Sequence, residues 1–313
     1  MAALGALLLL AAAPVQAAPA PAGGPVEAKY EKPGPMRVAK LTLRGPCDRK
    51  GDACEIFYPA DLGPEGTLHP VITWANGSDK TPSPAGKYDF FLGHLASWGF
   101  VVVATRDGVT GVGGTVLDAA NFLLAQGRDP ASPFYRRLDP ARLGAVGHSQ
   151  GASGAANAML HSKGAIRTAV LFHLPQQAFC KPADNCLTTQ DLEAAAGGSV
   201  FYVSGTSDFI ISPDDQLGGS KLNSLNAYYD HTPERLAKAK ALIRGANHND
   251  VTGRPGCPPG MGACKQGVRA YLGYPTAWLA WRLQGAADAR RAFAVGGELF
   301  QAPRWTRVRG AIR

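Results

Sequence analysis

Residues 142–156 read R-L-G-A-V-G-H-S-Q-G-A-S-G-A-A. Residues 143–146 are an apolar run of strand type, Gly147-His148-Ser149-Gln150-Gly151 follows, and small helix-compatible residues come next. Strand, sharp turn and helix with a serine at the apex is the layout of a G-x-S-x-G nucleophile elbow. Glycine at 147 and 151 removes side chains that would collide where the strand folds back on the helix. The strained turn then lifts the Ser149 hydroxyl clear of the sheet. A helix starting after Ser149 aims unpaired N–H groups at the place where negative charge would develop. With 38 glycines in the chain, a bare G-x-S-x-G match decides little; the strand before it and the helix after it give it weight.

Outward from the elbow, apolar runs of strand type recur at 38–43, 54–58, 71–75 and 100–104, then at 143–146, 168–172, 200–203 and 239–243. From residue 71 onward helical patterns lie between them, at 88–98, 115–125, 151–160 and 220–229. Strands alternating with helices predict a mostly parallel central sheet covered by helices on both faces. The first two runs, with no helix between them, predict an antiparallel hairpin at the sheet edge. A final amphipathic stretch at 269–283, with Trp278 and Trp281, is expected to pack back on the sheet.

In such a sheet, functional groups sit on loops at the carboxyl ends of the strands, and the partners of an elbow serine follow in the order acid, then histidine. Asp208 lies just past the run 200–203, where a carboxylate could accept a histidine Nδ1–H and hold its tautomer. Asp214 and Asp215 are the rival acids, but they follow Pro213 and sit further from the strand. His248, in the polar loop after 239–243, is the candidate general base. His173 ends the run 168–172 and competes with it, but precedes the acid and so breaks the order. Two backbone N–H groups are expected to form an oxyanion hole, one from Gln150 and one from Ser78 in the loop Trp74-Ala75-Asn76-Gly77-Ser78-Asp79. Trp74, Gly77, His148 and Gln177 are candidates to line the substrate site.

A chain of 313 residues with 45% hydrophobic and 18% charged residues can bury a sizeable core. The net charge is +8, but the basic residues are scattered and do not interleave with aromatics, which argues against a nucleic-acid partner. Residues 4–13 form an apolar core followed by Val15-Gln16-Ala17, as in a secretory signal with its cleavage site. The positively charged n-region is missing, which would place the true start upstream. The run is too short to span a bilayer. The expected organisation is a signal peptide at 1–17, a Pro/Ala-rich linker at 18–35, and one domain at 36–313, exported to the periplasm or medium. Six cysteines fall in three close pairs. Each pair brackets a turn-forming loop, so local disulfides Cys47–Cys54, Cys180–Cys186 and Cys257–Cys264 are the simplest scheme. The third pair would bracket an insertion near 252–266. Metal-ligand spacing with nearby histidines is absent, so neither a metal nor an organic cofactor is expected.

With these residues in hand, the chain resembles the secreted bacterial cutinase, lipase and poly(ethylene terephthalate) hydrolase group of α/β-hydrolases, with dienelactone hydrolases and chlorophyllases as looser relatives. Three segments carry the likeness: Phe134-Tyr135-Arg136-Arg137-Leu138-Asp139-Pro140 running on to Ser149; Leu95-Ala96-Ser97-Trp98-Gly99-Phe100; and the loops holding Ser207-Asp208 and Ala246-Asn247-His248. The resemblance implies an α/β-hydrolase fold and a Ser-His-Asp esterase. The chain departs from it in three places. Gln150 stands where the group has Met, Ser78 where it has an aromatic, and Leu174-Pro175-Gln176-Gln177-Ala178-Phe179 where it has a Trp. The resemblance therefore implies ester chemistry but not a polymer preference.

The sequence thus predicts a secreted, monomeric serine carboxylic-ester hydrolase acting on a small or polymeric ester through an acyl-enzyme. The rivals are an amide or peptide hydrolase with the same triad and a catalytically silent binding module of this fold.

Overall fold

The structure is a computed structural model that describes residues 23–180, 182–215, 222–253 and 266–312. The strands are β1 (Val38–Pro46), β2 (Ala53–Pro59), β3 (His69–Ala75), β4 (Val101–Thr105), β5 (Leu138–His148), β6 (Ile166–Phe172), β7 (Ser199–Gly205), β8 (Ala237–Ile243) and β9 (Trp305–Ala311). The described helices are α1 (Pro25–Glu31), α2 (Asp89–Ser97), α3 (Gly114–Gln126), α4 (Gln150–His161), α5 (Thr189–Ala194), α6 (Leu225–His231), α7 (Gly273–Leu279), α8 (Ala287–Phe293) and α9 (Glu298–Gln301).

All nine strands join one sheet in the order β1-β2-β4-β3-β5-β6-β7-β8-β9. It is parallel from β4 through β8 and antiparallel at its ends, where β1–β2 is the expected hairpin. This is the α/β-hydrolase architecture. Period-2 alternation sorts each central strand between two apolar layers. Ile72 and Trp74, Val102 and Ala104, Val170 and Phe172, and Phe201 and Val203 face α1, α2, α7, α8 and α9. Val71 and Ala75, Val101 and Val103, Ala169 and Leu171, and Val200 and Tyr202 face α3, α4 and α6. With both faces covered, these strands read as continuous apolar runs, which is why they were legible.

The termini differ from expectation. In the span expected as a solvated linker, 18–35, the described part carries α1, with Glu27 and Tyr30 buried. Pro25 at the first turn suits a helix start. Tyr30 packs on Trp98 at 4.7 Å between ring centroids, and Glu27 accepts the Trp305 indole N–H at 2.7 Å. The Ala-, Pro- and Gly-rich composition hides this helix because only its docking partners, far along the chain, stabilise it. Strand β9 was likewise unforeseen; its burial is only partial, so it lacks the apolar run of a central strand. Within the stretch expected to be amphipathic at 269–283, Trp278 is fully buried and stacks edge-on against Trp281.

Cys47–Cys54 and Cys180–Cys186 are disulfides, with Cα atoms 5.8 and 5.4 Å apart. Cys257, Cys264 and most of the expected insertion lie outside the described residues, as does the expected signal peptide. Among the described residues, no helix is long and apolar enough to cross a membrane.

Candidate active site

Ser149 stands between the end of β5 and the start of α4 with φ 58° and ψ −129°, a conformation that costs a non-glycine residue energy. Two hydrogen bonds hold it there, Ser149 N–H to the Phe172 carbonyl at 2.9 Å and Ala152 N–H to the Ser149 carbonyl at 2.8 Å. The flanking glycines are steric necessities. A Cβ on Gly147 would lie 2.0 Å from the Gly151 carbonyl oxygen, and one on Gly151 would lie 2.1 Å from that of Ala75.

The Ser149 hydroxyl is 2.9 Å from His248 Nε2, and His248 Nδ1 is 2.7 Å from Asp208 Oδ2. The structure thus brings together the serine, histidine and acid singled out in the sequence. The rival acids stand elsewhere. Asp214 is buried in an ion pair with Lys240, and Asp215 accepts from the Asn226 amide at 2.8 Å.

His173 is not excluded from the site. It is fully buried, with Nδ1 2.8 Å from the same Asp208 Oδ2 and Nε2 2.7 Å from the Tyr271 hydroxyl. Burial alone would raise the Asp208 carboxyl, but the His173 and His248 N–H groups outweigh it and hold it well below the usual carboxylate range. Burial pushes His173 down despite Asp208, so it is neutral near pH 7. An ionised carboxylate can only accept, so both histidines carry their proton on Nδ1. His173, Asp208 and His248 also form a cluster whose ligand-type atoms lie within 4.8 Å of one another. Because both Nδ1 atoms donate to one oxygen, the cluster is a hydrogen-bond network rather than a set of lone pairs facing a shared cation.

A second network adjoins the first, with the His148 ring 4.9 Å from that of His248 and 5.8 Å from that of His173. Gly77 N–H donates to the Tyr88 hydroxyl at 3.2 Å, Tyr88 donates to His148 Nδ1 at 2.9 Å, and His148 Nε2–H donates to the His248 carbonyl at 2.8 Å. Burial, with His248 and His173 nearby, holds His148 far below the ordinary histidine value. The loop after β3 is thereby tied to the loop that carries His248. That second loop is also closed on itself by Asp250, which accepts from Asn247 N–H at 2.8 Å and Gly267 N–H at 3.2 Å.

Two clefts flank the serine. One, of about 140 Å³, is lined by Ser78, Gln150, Pro175, Phe179 and Ile211 beside Ser149. The other, of about 220 Å³, is lined by Gly77, Lys87, Tyr88, His148, Asn249 and Thr252 beside Ser149 and His248. Ser78 and Gln150, the expected oxyanion donors, meet at the first cleft, and Gln150 opens α4, where the first N–H groups have no intrahelical acceptor. Gly77 and His148 reach the second. Two other expected lining residues do not reach these clefts. Trp74 is fully buried, its indole N–H donating to Asn76 Oδ1 at 3.0 Å and its ring packed on Tyr88. It points into the core because β3 is buried on both faces along its whole length. The Gln177 amide turns away to the Leu187 carbonyl at 3.0 Å, and Phe179, 51% exposed, takes the cleft position from that loop.

Tyr88, Tyr271 and Asp250 were missed by sequence reasoning. For the tyrosines no local pattern marks them, since they approach from a helix start and a distant turn. The Asn247-to-Asp250 spacing is a turn signal that could have been read.

No curated protein matches the chain. A family model described as PET hydrolase-like matches residues 10–178, more than half of the chain and including the elbow. With the sheet order and the elbow already established, the match makes the chain a member of the PET hydrolase-like family of α/β-hydrolases.

Proposed function

We propose that the protein is a secreted serine carboxylic-ester hydrolase. The single observation that carries this reading is the unbroken hydrogen-bonded run from Ser149 through His248 to Asp208, at a strained strand-to-helix turn flanked by two clefts. In this reading His248 Nε2 takes the hydroxyl proton as Ser149 Oγ bonds to the ester carbonyl carbon. The carbonyl electron pair moves to the oxygen, where the Ser78 and Gln150 N–H groups receive it. When the pair returns, the alcohol leaves with the proton from His248. Water, deprotonated by His248, then attacks the acyl-Ser149 ester and releases the acid. Asp208 orients His248 and balances its transient charge. Family membership supports the assignment. The two disulfides support an oxidising compartment.

Pro175, Phe179 and Ile211 give the first cleft an apolar wall opposite the polar groups of Ser78 and Gln150, which favours the acyl group there and the leaving alcohol on the His148 side. The test compares p-nitrophenyl butyrate, the matching anilide and an insoluble polyester film. Ester turnover is expected, abolished in Ser149→Ala with an unchanged melting temperature. Retention of more than about a hundredth of the activity would remove Ser149 from the role of nucleophile. Faster anilide turnover would make the protein an amidase. No turnover together with no fluorophosphonate labelling would mark a silent binding module.

A further inference from the structure

The histidine that sequence order rejects is built into the site. His173 follows β6 with φ 53°, in the left-handed region that asparagine, aspartate and histidine adopt more readily than other non-glycine residues. Its backbone N–H is held by the Val203 carbonyl at 2.7 Å. The side chain is 0% exposed, so every polar atom it carries must be satisfied inside the protein. Nδ1 reaches Asp208 Oδ2, and Nε2 reaches the Tyr271 hydroxyl.

These contacts admit one assignment of protons. The ionised Asp208 accepts, so His173 donates from Nδ1; neutral His173 then has a lone pair on Nε2, and Tyr271 donates to it. Tyr271 is itself fully buried. Burial, with Asp250 and Asp208 nearby, pushes its phenol far above the ordinary tyrosine value, so it stays a donor. The alternative Nε2–H tautomer could donate to the Tyr271 oxygen while Tyr271 turned to the Asn247 carbonyl at 3.5 Å, but it would leave a bare Nδ1 lone pair against the carboxylate, so Asp208 decides the tautomer.

We propose that His173, held in its Nδ1–H tautomer by its bond to Asp208 with Tyr271 at Nε2, is a positioning residue for catalysis: it fixes the Asp208 carboxylate so that one oxygen, Oδ2, faces His248. This rests on the functional reading above. His173 supplies a hydrogen bond to the acid without adding a positive charge, which would compete with the imidazolium that His248 becomes. With His173 and His248 both on Oδ2, rotation of the carboxylate would break two bonds at once. The titratable or polar groups facing His173 are Asp208, Tyr271, Ser204 (Oγ to Nδ1, 3.4 Å), and the rings of His248 and His148 at 5.3 and 5.8 Å. Asp250 acts on it through space.

The experiment has two arms. In the first, imidazole ¹⁵N NMR of the full chain reads the His173 tautomer without reference to any activity. The Nδ1–H form is expected in the wild type and is retained in Tyr271→Phe, where Asp208 still accepts from Nδ1; an Nε2–H wild type would overturn the proposal. In the second, kcat, KM and the pH profile are measured for His173→Ala, His173→Asn and Tyr271→Phe, with active sites counted by fluorophosphonate titration. His173→Ala is expected to lower kcat per active site by roughly 10- to 100-fold at little change in KM, the effect of losing one hydrogen bond to a charged acceptor. The acid limb of its profile should move to higher pH, since Asp208 no longer shares its charge with a second donor. His173→Asn, whose amide can donate from nearly the same place and whose backbone tolerates this φ, should recover most of the loss. If His173→Ala lowers only the melting temperature and the count of active sites, with kcat per site and the pH profile unchanged, His173 is merely structural. A wild type inactive on every ester would instead sink the functional reading, and the NMR arm would still decide the geometry.

Discussion

Asp208→Asn separates what the acid's charge does from what its geometry does. Both N–H groups that reach Asp208 converge on the same oxygen, Oδ2. An asparagine can put its carbonyl oxygen there and keep both bonds in their present direction. The His248 tautomer then survives, and what disappears is the negative charge. That charge matters most when His248 becomes an imidazolium. Two unit charges roughly 4 Å apart interact by about 4 kcal/mol at an effective dielectric constant of about 20, which corresponds to a loss in kcat of about 10³-fold. An amide turned the other way would present its NH₂ to both histidines and trap His248 in the wrong tautomer, a loss on the order of 10⁴-fold. The expected result therefore lies between 10³- and 10⁴-fold by order of magnitude, with KM little changed and the protein folded. Steady-state hydrolysis of p-nitrophenyl butyrate on protein of checked melting temperature measures it. Asp214→Asn is the control: it removes the charge paired with buried Lys240, so it should lower stability and leave kcat alone. A loss below about tenfold for Asp208→Asn, or a larger kcat loss for Asp214→Asn, would refute the assignment.

Gly147→Ala and Gly151→Ala each drive a methyl to about 2 Å from a backbone oxygen, so each should cost at least about 3 kcal/mol in urea unfolding; near-native stability would mean the elbow is not packed as described. His94, buried and pushed down to about 4, is neutral in the fold but protonates near its ordinary value when unfolded. Its contribution is present above about pH 6.5 and fades as pH falls toward 4, a loss of about 2 kcal/mol between pH 8 and pH 5. His94→Gln should flatten that part of the slope in urea titrations at the two pH values, and an unchanged slope would show that His94 does not carry it. The Cys180–Cys186 bridge closes a six-residue separation and should add about 2 kcal/mol. Because Cys180 borders the acyl cleft, Cys180→Ser/Cys186→Ser should also raise KM for esters, whereas Cys47→Ser/Cys54→Ser should not. Peptide mapping without reduction tests the third pair, Cys257–Cys264.

The sheet was legible because its central strands are buried on both faces and so announce themselves as unbroken apolar runs. Ser149, Asp208 and His248 were legible because chain order and strand ends constrain them. What order could not show was His173. The rule that the histidine follows the acid sorts candidates for the proton-accepting role, and it is blind to a second histidine that serves the acid instead. Trp74 was misplaced for a related reason. The loop it introduces does reach the site, but Trp74 is still inside β3, which is buried on both faces, so its side chain stays in the core. Helix α1 and strand β9 carry little apolar signal of their own; they exist because Glu27 and Tyr30 meet partners about 70 to 280 residues away, among them Trp98 and Trp305.

The precision of the site comes from the sheet more than from its loops. At the end of β5 the Ser149 N–H is held by the Phe172 carbonyl of β6. Just past β6 the His173 N–H is held by the Val203 carbonyl of β7, and just past β7 the Thr206 N–H is held by the Ile243 carbonyl of β8. Each outgoing strand is thus pinned to the last residues of the next, so the nucleophile, the second histidine and the acid's turn keep positions set by strand register. The acid turn is tight in its own right: Asp208 N–H returns to the Gly205 carbonyl at 3.0 Å, and a Cβ on Gly205 would lie 2.1 Å from the Ala246 oxygen. His248 is the exception, since β8 has already ended and its loop runs on toward residue 252. That loop is fixed instead by Asp250 from within and by His148 from the elbow itself. His148, the residue before Ser149, thereby holds the backbone of His248, which couples the two parts of the site that the ladder of strand ends cannot join.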